Sequence, residues 1–139
     1  ITWQKTNPPP NLACRCFTHS TETILWAQKN DKKSRHFFDY QKMKEMNGGK
    51  QMKDVWTGAL TKPSEKTEGK HPTQKPEYLL EKIVLASTEE GQVILDPFCG
   101  SGTTGVEAVR FGRKFIGIDV SEEYLEISKR RLEKVANDK

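Results

Sequence analysis

No apolar run in these 139 residues approaches the roughly 20 consecutive residues that a membrane-spanning helix requires. Nor does the chain open on the charged-then-apolar pattern of a secretory signal. It starts at Ile1 without a methionine, so the expectation is a fragment of a longer protein or a processed product. Cysteine is scarce: Cys14, Cys16 and Cys99 form an odd set without C-x-x-C spacing. That argues against a zinc site or a disulfide framework and for a reducing, cytoplasmic setting. His19 has no companions from which a metal site could be built, and no metal ligand is assigned. An apolar content of 34% and a charged content of 30% then describe a water-soluble domain. The length suffices for one small domain with a real core.

The formal charge of +4 is unevenly divided. Residues 28–75 hold 12 Lys/Arg against 6 Asp/Glu, whereas residues 76–139 hold 9 against 12. The basic excess therefore lies in the first half, where it suits a phosphate backbone or, equally, a solvated lysine-rich loop.

What the sequence does contain is concentrated in residues 92–119. Gln92-Val93-Ile94-Leu95-Asp96 reads as a strand ending on a carboxylate. Gly100, Gly102 and Gly105 follow at the spacing G-x-G-x-x-G, a helix is predicted over 103–110, and Gly112 ends it. Residues 114–119 make a second strand that closes on Asp119. A strand–turn–helix–strand unit of about thirty residues is the context in which a glycine-rich turn marks a nucleotide site. The glycines let the backbone approach a ligand, and the helix start presents free N–H groups. An acid ending the second strand can accept both ribose hydroxyls of an adenosine. The glycine spacing alone also fits a plain strand-to-helix turn, and it permits a dinucleotide with its pyrophosphate on the helix N-terminus.

The residues around the glycines carry a resemblance. Asp96-Pro97-Phe98-Cys99-Gly100-Ser101-Gly102-Thr103-Thr104 resembles motif I of the amino-methylating DNA methyltransferases, which bind S-adenosylmethionine. His71-Pro72-Thr73-Gln74-Lys75-Pro76 resembles their motif X. Motif X ahead of motif I, with a variable stretch before both, is similar to the order in the β class of that family. The resemblance covers residues 1–8, 18–29 and 50–135. It implies an α/β fold, part of a Rossmann-like, doubly wound methyltransferase sheet with a long basic recognition loop. It also implies methyl transfer to an exocyclic amine of adenine (N6, favoured) or cytosine (N4), in a base flipped out of double-stranded DNA. Positioning and a polarising hydrogen bond carry such chemistry, with no metal required. By the same analogy the cofactor-binding residues are Asp96, Phe98, Cys99, Gly100, Ser101, Gly102 and Thr103, with Asp119 on the ribose. Thr73, Gln74 and Lys75 border the same pocket. A companion restriction endonuclease and a homodimer are further partners that the resemblance allows.

One family element is missing. No Asp/Asn/Ser-Pro-Pro-aromatic tetrapeptide occurs in these residues, so no catalytic residue is assigned. Asn7-Pro8-Pro9-Pro10 comes near, but Pro10 has no ring to stack on a flipped base. A stiff loop is the expectation there.

Three regions result. Residues 1–29 comprise a strand over 1–5, the proline loop, and a turn and strand around residues 18–28. That last segment is similar to motif VIII, beside the target-base pocket by analogy, with Glu22 expected to be structural. Residues 30–70 lack periodicity, with Gly48, Gly49 and Pro63 as interruptions and Phe37, Phe38, Tyr40 and Trp56 interleaved with lysines. So long a stretch without elements is often functional. Aromatics among basic residues suit nucleic acid, although they also pin a loop to a core. The resemblance makes this the target-recognition region, with Lys32, Lys33, Lys53 and Trp56 as DNA contacts and 54–56 as a short strand.

Residues 71–139 are the S-adenosylmethionine-binding region. Pro76 opens a helix buried through Tyr78, Leu79, Leu80, Ile83, Val84 and Ala86. Ser121 caps the last helix, which turns Tyr124, Leu125, Ile127, Leu132 and Val135 inward. Lys129, Arg130 and Arg131 are expected on its solvated face. Two other readings remain. A dehydrogenase's dinucleotide module leaves residues 71–76 unexplained, and a non-catalytic cofactor- or DNA-binding fragment differs only in what it lacks.

Overall fold

A computed structural model describes residues 1–29 and 35–138. In chain order the elements are β1 (Thr2–Lys5), β2 (Thr21–Thr23), α1 (Tyr40–Met46), β3 (Val55–Gly58), α2 (Glu77–Ser87), β4 (Val93–Asp96), α3 (Thr103–Arg110), β5 (Lys114–Gly117) and α4 (Glu122–Asn137). The strands form two sheets. β1 lies between β2, antiparallel to it, and β3, parallel to it. β4 and β5 pair in parallel with Asp96 opposite Gly117, and α3 is their crossover. The fold is α/β as expected, with its sheet in two pieces.

Aromatic packing holds the first sheet. Trp3 is 1% exposed and clusters with Trp56 and Leu79. The Trp3 indole N–H donates to Tyr78 Oη at 2.7 Å, and that hydroxyl donates to the Ala59 carbonyl at 3.0 Å. β1 and β3 are thereby fixed to α2. β2 is shorter than expected: it ends at Thr23 opposite Thr2, and beyond it Ile24 and Ile1 exchange one further pair of backbone hydrogen bonds at 2.8 and 2.9 Å.

Residues 35–70 hold more regular structure than their sequence suggests. α1 buries only Met43, so it carries almost no periodic signal. It forms because Asp39 Oδ1 accepts from the Lys42 N–H at 2.8 Å, and because Met43 packs on Leu85 and Ala86 of α2. β3 is the expected short strand, and a 3₁₀ turn follows at Pro63–Lys66.

The second half follows the sequence closely. α3 occupies residues 103–110 and α4 starts after Ser121, whose Oγ accepts from the Tyr124 N–H at 3.3 Å. α2 starts one residue after Pro76 and buries Leu79, Val84, Leu85 and Ala86. Phe115 on β5 packs so close to Gly105 of α3 that a Cβ there would lie 2.5 Å from the ring. The opposite face of β4–β5 presents Val93, Leu95, Ile116 and Ile118, each more than half exposed. No helix of the described residues is long and apolar enough to cross a membrane.

Between α2, α3 and α4 lies a buried cluster of charge. Glu107 is fully buried; its Oε1 accepts from Arg110, and its Oε2 has no partner among the described residues. Burial pushes its carboxyl from 4.5 up to about 7, against the pull of Arg110. The folded state therefore holds this proton more tightly than the unfolded chain does. Its contribution to stability is complete below about pH 4.5 and is lost as pH rises to about 7. Glu107→Gln, which mimics the protonated acid, is expected to be more stable than the parent by about 3 kcal/mol at pH 8 and nearly equal to it at pH 4.5. Urea denaturation across that range measures the difference, and a constant offset would contradict it.

Candidate functional site

β4 ends on Asp96 and the chain turns sharply into α3. The Asp96 carboxylate organises that turn: Oδ1 accepts from the Phe98 N–H at 3.1 Å and Oδ2 from the Thr104 hydroxyl at 2.7 Å. Asp119, two residues past β5, reaches across from the neighbouring strand. Its Oδ2 accepts from the Gly100 N–H at 2.8 Å and its Oδ1 from the Ser121 N–H at 3.0 Å. Those backbone donors, Ser121 first and then Gly100, hold its carboxyl below the usual range. Each oxygen keeps further lone pairs, since a carboxylate has about four acceptor positions.

Gly100 and Gly102 have φ of +51° and +74°, the left-handed region that side chains disfavour. Neighbours also exclude a Cβ at both. At Gly100 it would sit 2.9 Å from His71 Nε2, and at Gly102 it would overlap Ser128 Oγ. The turn is therefore pressed between residues 71–76 on one side and α4 on the other.

Residues 71–76 form the facing wall. His71 packs edge-on against Tyr124, ring centroids 4.2 Å apart, and its Nδ1 accepts from the Thr73 N–H at 3.3 Å. Gln74 is buried; its Nε2 donates to the Glu65 carbonyl at 2.7 Å, while its Oε1 has no partner among the described residues. The Lys75 carbonyl accepts from the Thr103 hydroxyl at 3.3 Å, and its ammonium meets Glu22 at 2.8 Å. Glu22 also binds Lys5 at 2.8 Å, so the 71–76 stretch is tied to β1 and β2. Burial works against the Glu22 charge, but hydrogen bonds from Lys5 and Lys75 outweigh it and hold the carboxyl below its ordinary value.

A hollow of about 180 Å³ lies between these walls, lined by His71, Thr73, Gln74, Lys75, Asp96 and Phe98 together with Cys99, Gly100, Ser101 and Thr103. Its lining offers acceptors in the Asp96 carboxylate and the unpartnered Gln74 oxygen, and Asp119 is joined to it through the lining residue Gly100, whose N–H it accepts. Burial, with Asp96 and Asp119 nearby, pushes the Cys99 thiol up, which disfavours a nucleophilic thiolate.

Residues 1–130 match the DNA methylase family. The chain belongs to that family. The Type II methyltransferase M2.LlaDCHI of Lactococcus lactis subsp. cremoris is 75% identical over 136 residues, 98% of this chain and 51% of that protein. M2.DpnII of Streptococcus pneumoniae is 74% identical over 133 residues, 96% of this chain and 50% of that one. The chain thus spans about half the length of these relatives. Among solved structures, the M1.HpyAVI–SAM complex is 39% identical with a TM-score of 0.77, covering 95% of this chain and 60% of the other. The cytosine-N4-specific PvuII DNA methyltransferase, at 20% identity and a TM-score of 0.72, shares the fold over 99% of this chain and 54% of its own.

In this chain the sequence-expected residues of the turn and of 71–76 do come together around the hollow, except that Gly102 and Asp119 are not in its lining. Phe98 is 87% exposed at the rim, whereas Cys99, Ser101 and Thr103 are buried. The expected DNA contacts fare differently. Trp56 is 6% exposed in the core, with its indole N–H on the Lys53 carbonyl at 2.9 Å, so it has no free face for a base. Lys53 is exposed, and Lys32 and Lys33 lie outside the described residues. Asn7 places its side-chain oxygen on the Leu60 N–H at 2.8 Å, a loop-stiffening role.

Arg131 is a further correction. It was expected on a solvated face, yet it is 5% exposed and donates to the Ser101 carbonyl at 2.7 Å. Lys129 and Arg130 are exposed as expected. A period count hints at Arg131: it falls four residues after Ile127 on the inward face.

Proposed function

We propose that this chain is the S-adenosylmethionine-binding part of a DNA methyltransferase that methylates an exocyclic amine, adenine N6 or cytosine N4, in double-stranded DNA. The observation that carries the reading is the hollow between the glycine turn and residues 71–76. Its chemistry fits the cofactor: carboxylates and the orphaned Gln74 oxygen suit a ligand bearing an ammonium, a sulfonium and ribose hydroxyls. Asp119 receives the ribose with the lone pairs its two N–H donors leave free. Asp96, Gly100, Ser101 and Gly102 surround the methionine end, with Thr73, Gln74 and Lys75 facing them and Phe98 closing over the rim. When bound, S-adenosylmethionine supplies an electrophilic methyl group. The likeness to M1.HpyAVI, solved with SAM, supports the assignment.

The reading makes the segment 30–70 the target-recognition region, with Lys32, Lys33 and Lys53 on DNA phosphates. It includes a cytoplasmic location and a companion restriction endonuclease, in keeping with relatives that are Type II methyltransferases. It also includes a homodimer, which sedimentation would show or refute. A non-catalytic cofactor-binding piece is the second reading, favoured by the lack of any Asp/Asn/Ser-Pro-Pro-aromatic tetrapeptide.

Calorimetric titration tests the cofactor assignment. Asp119→Ala is expected to weaken S-adenosylmethionine binding about tenfold or more, and Asp119→Asn, which keeps one acceptor oxygen, by less. Equal affinities in all three proteins would remove Asp119 from the site.

Tritiated-methyl incorporation into mixed-sequence duplex DNA separates the two functional readings. Residues 1–139 alone are expected to incorporate nothing, and a longer chain supplying the tetrapeptide is expected to be active, because lost positioning costs many powers of ten in rate. Robust incorporation by the short chain, abolished by Asn7→Ala, would make Asn7 catalytic.

For the DNA face, affinity is expected to fall steeply with salt. Neutralising Lys32, Lys33 and Lys53 together should flatten the logarithmic slope by about one per lost contact. A slope that the triple variant leaves unchanged would return these lysines to ordinary surface.

A further inference from the structure

Arg131 sits on α4, outside the lining of the hollow, and none of its partners is local in sequence. Its Nη1 donates to the Ser101 carbonyl at 2.7 Å, to Thr103 Oγ1 at 3.0 Å and, more weakly, to Ser101 Oγ at 3.4 Å. Its Nη2 donates to Glu77 Oε1 at 3.0 Å. The other oxygen of Glu77 takes Arg110 at 2.8 Å, so Glu77 is itself held. Glu77 follows Pro76 directly, and its N–H is fixed by Glu65 Oε2 at 2.8 Å. One buried guanidinium therefore joins the glycine turn to the end of the 71–76 stretch, the two walls of the hollow.

We propose that Arg131 is the positioning residue of the cofactor turn, with Glu77 holding Arg131 in register. This rests on the reading of the hollow as the S-adenosylmethionine site. The Ser101–Gly102 peptide is gripped at both ends: its carbonyl accepts from Arg131, and its N–H donates to the Cys99 carbonyl at 2.8 Å. Gly100 and Gly102 on either side are both in the left-handed region, so this peptide has few steric restraints of its own. A planar fork that grips two turn oxygens and a carboxylate at once sets the orientation of that peptide. It also sets the spacing of the turn from Lys75, whose carbonyl shares Thr103 Oγ1 with the same guanidinium. A lysine in this place keeps the charge but loses the fork.

The test is titration of S-adenosylmethionine into the 139-residue chain and into Arg131→Lys, Glu77→Gln and Lys129→Ala, with affinity counted per folded molecule and thermal midpoints measured in parallel. Arg131→Lys is expected to weaken binding about tenfold or more, on the scale of a misplaced site wall. Glu77→Gln should weaken it less and in the same direction, and Lys129→Ala, on the exposed face of α4, should bind as the parent does. Arg131→Lys and Glu77→Gln with lowered midpoints but parental affinity would overturn the proposal, because that is the pattern of a purely structural ion pair. If Arg131→Lys does not fold, Glu77→Gln decides between the same two outcomes. A parent chain that binds no cofactor would overturn the reading of the hollow, and this proposal with it.

Discussion

Two carboxylates at the ends of two parallel strands hold the backbone of one turn, and the arrangement of the site depends on them. Asp96 and Asp119 accept from Phe98, Gly100 and Ser121 N–H groups and from the Thr104 hydroxyl. Parallel pairing of β4 with β5 brings them side by side, since Asp96 stands opposite Gly117 and Asp119 lies just beyond. Hydrogen bonds to charged acceptors are roughly twice as strong as neutral ones, and they suit a segment whose glycines lend it little rigidity. The acids that would meet a ligand thus already serve the scaffold, and ligand chemistry is left to their remaining lone pairs.

Behind the turn the helices are joined by charge as well as by apolar packing. Glu77, Glu107, Arg110 and Arg131 connect α2, α3 and α4, and Glu107 and Arg131 are buried. Burying ions costs several kcal/mol each, so such a cluster is weak evidence for stability. What it does supply is geometry: the guanidiniums have few acceptors, and those acceptors lie on different elements. Glu22 plays a comparable part on the other side, where Lys5 and Lys75 converge on it. A larger, mostly apolar hollow of about 530 Å³ among Ile1, Trp26, Phe38, Met43 and Trp56 shares no lining residue with the turn.

Much of the site was legible in the sequence because its signals are local. The strand into Asp96, the glycine spacing, the helix over 103–110 and the Ser121 cap each depend on neighbours a few residues away. The 71–76 and 96–104 motifs likewise carried the family and, through it, the pairing of two segments that the structure brings together. α1 escaped notice because a helix with one buried residue has no period to read.

Sequence alone therefore determined the βαβ unit, its caps and the motif residues that line the hollow. Tertiary structure alone decided which long side chains are buried. Trp56, placed among lysines, became core because β3 docks beside β1 and turns it onto Trp3 and Leu79. Arg131, placed in a basic run, became an internal tie because its acceptors are Ser101, Thr103 and Glu77, 28 to 54 residues away. A side chain's composition sets what it can donate or bury, and only the folded chain brings up the group that accepts it.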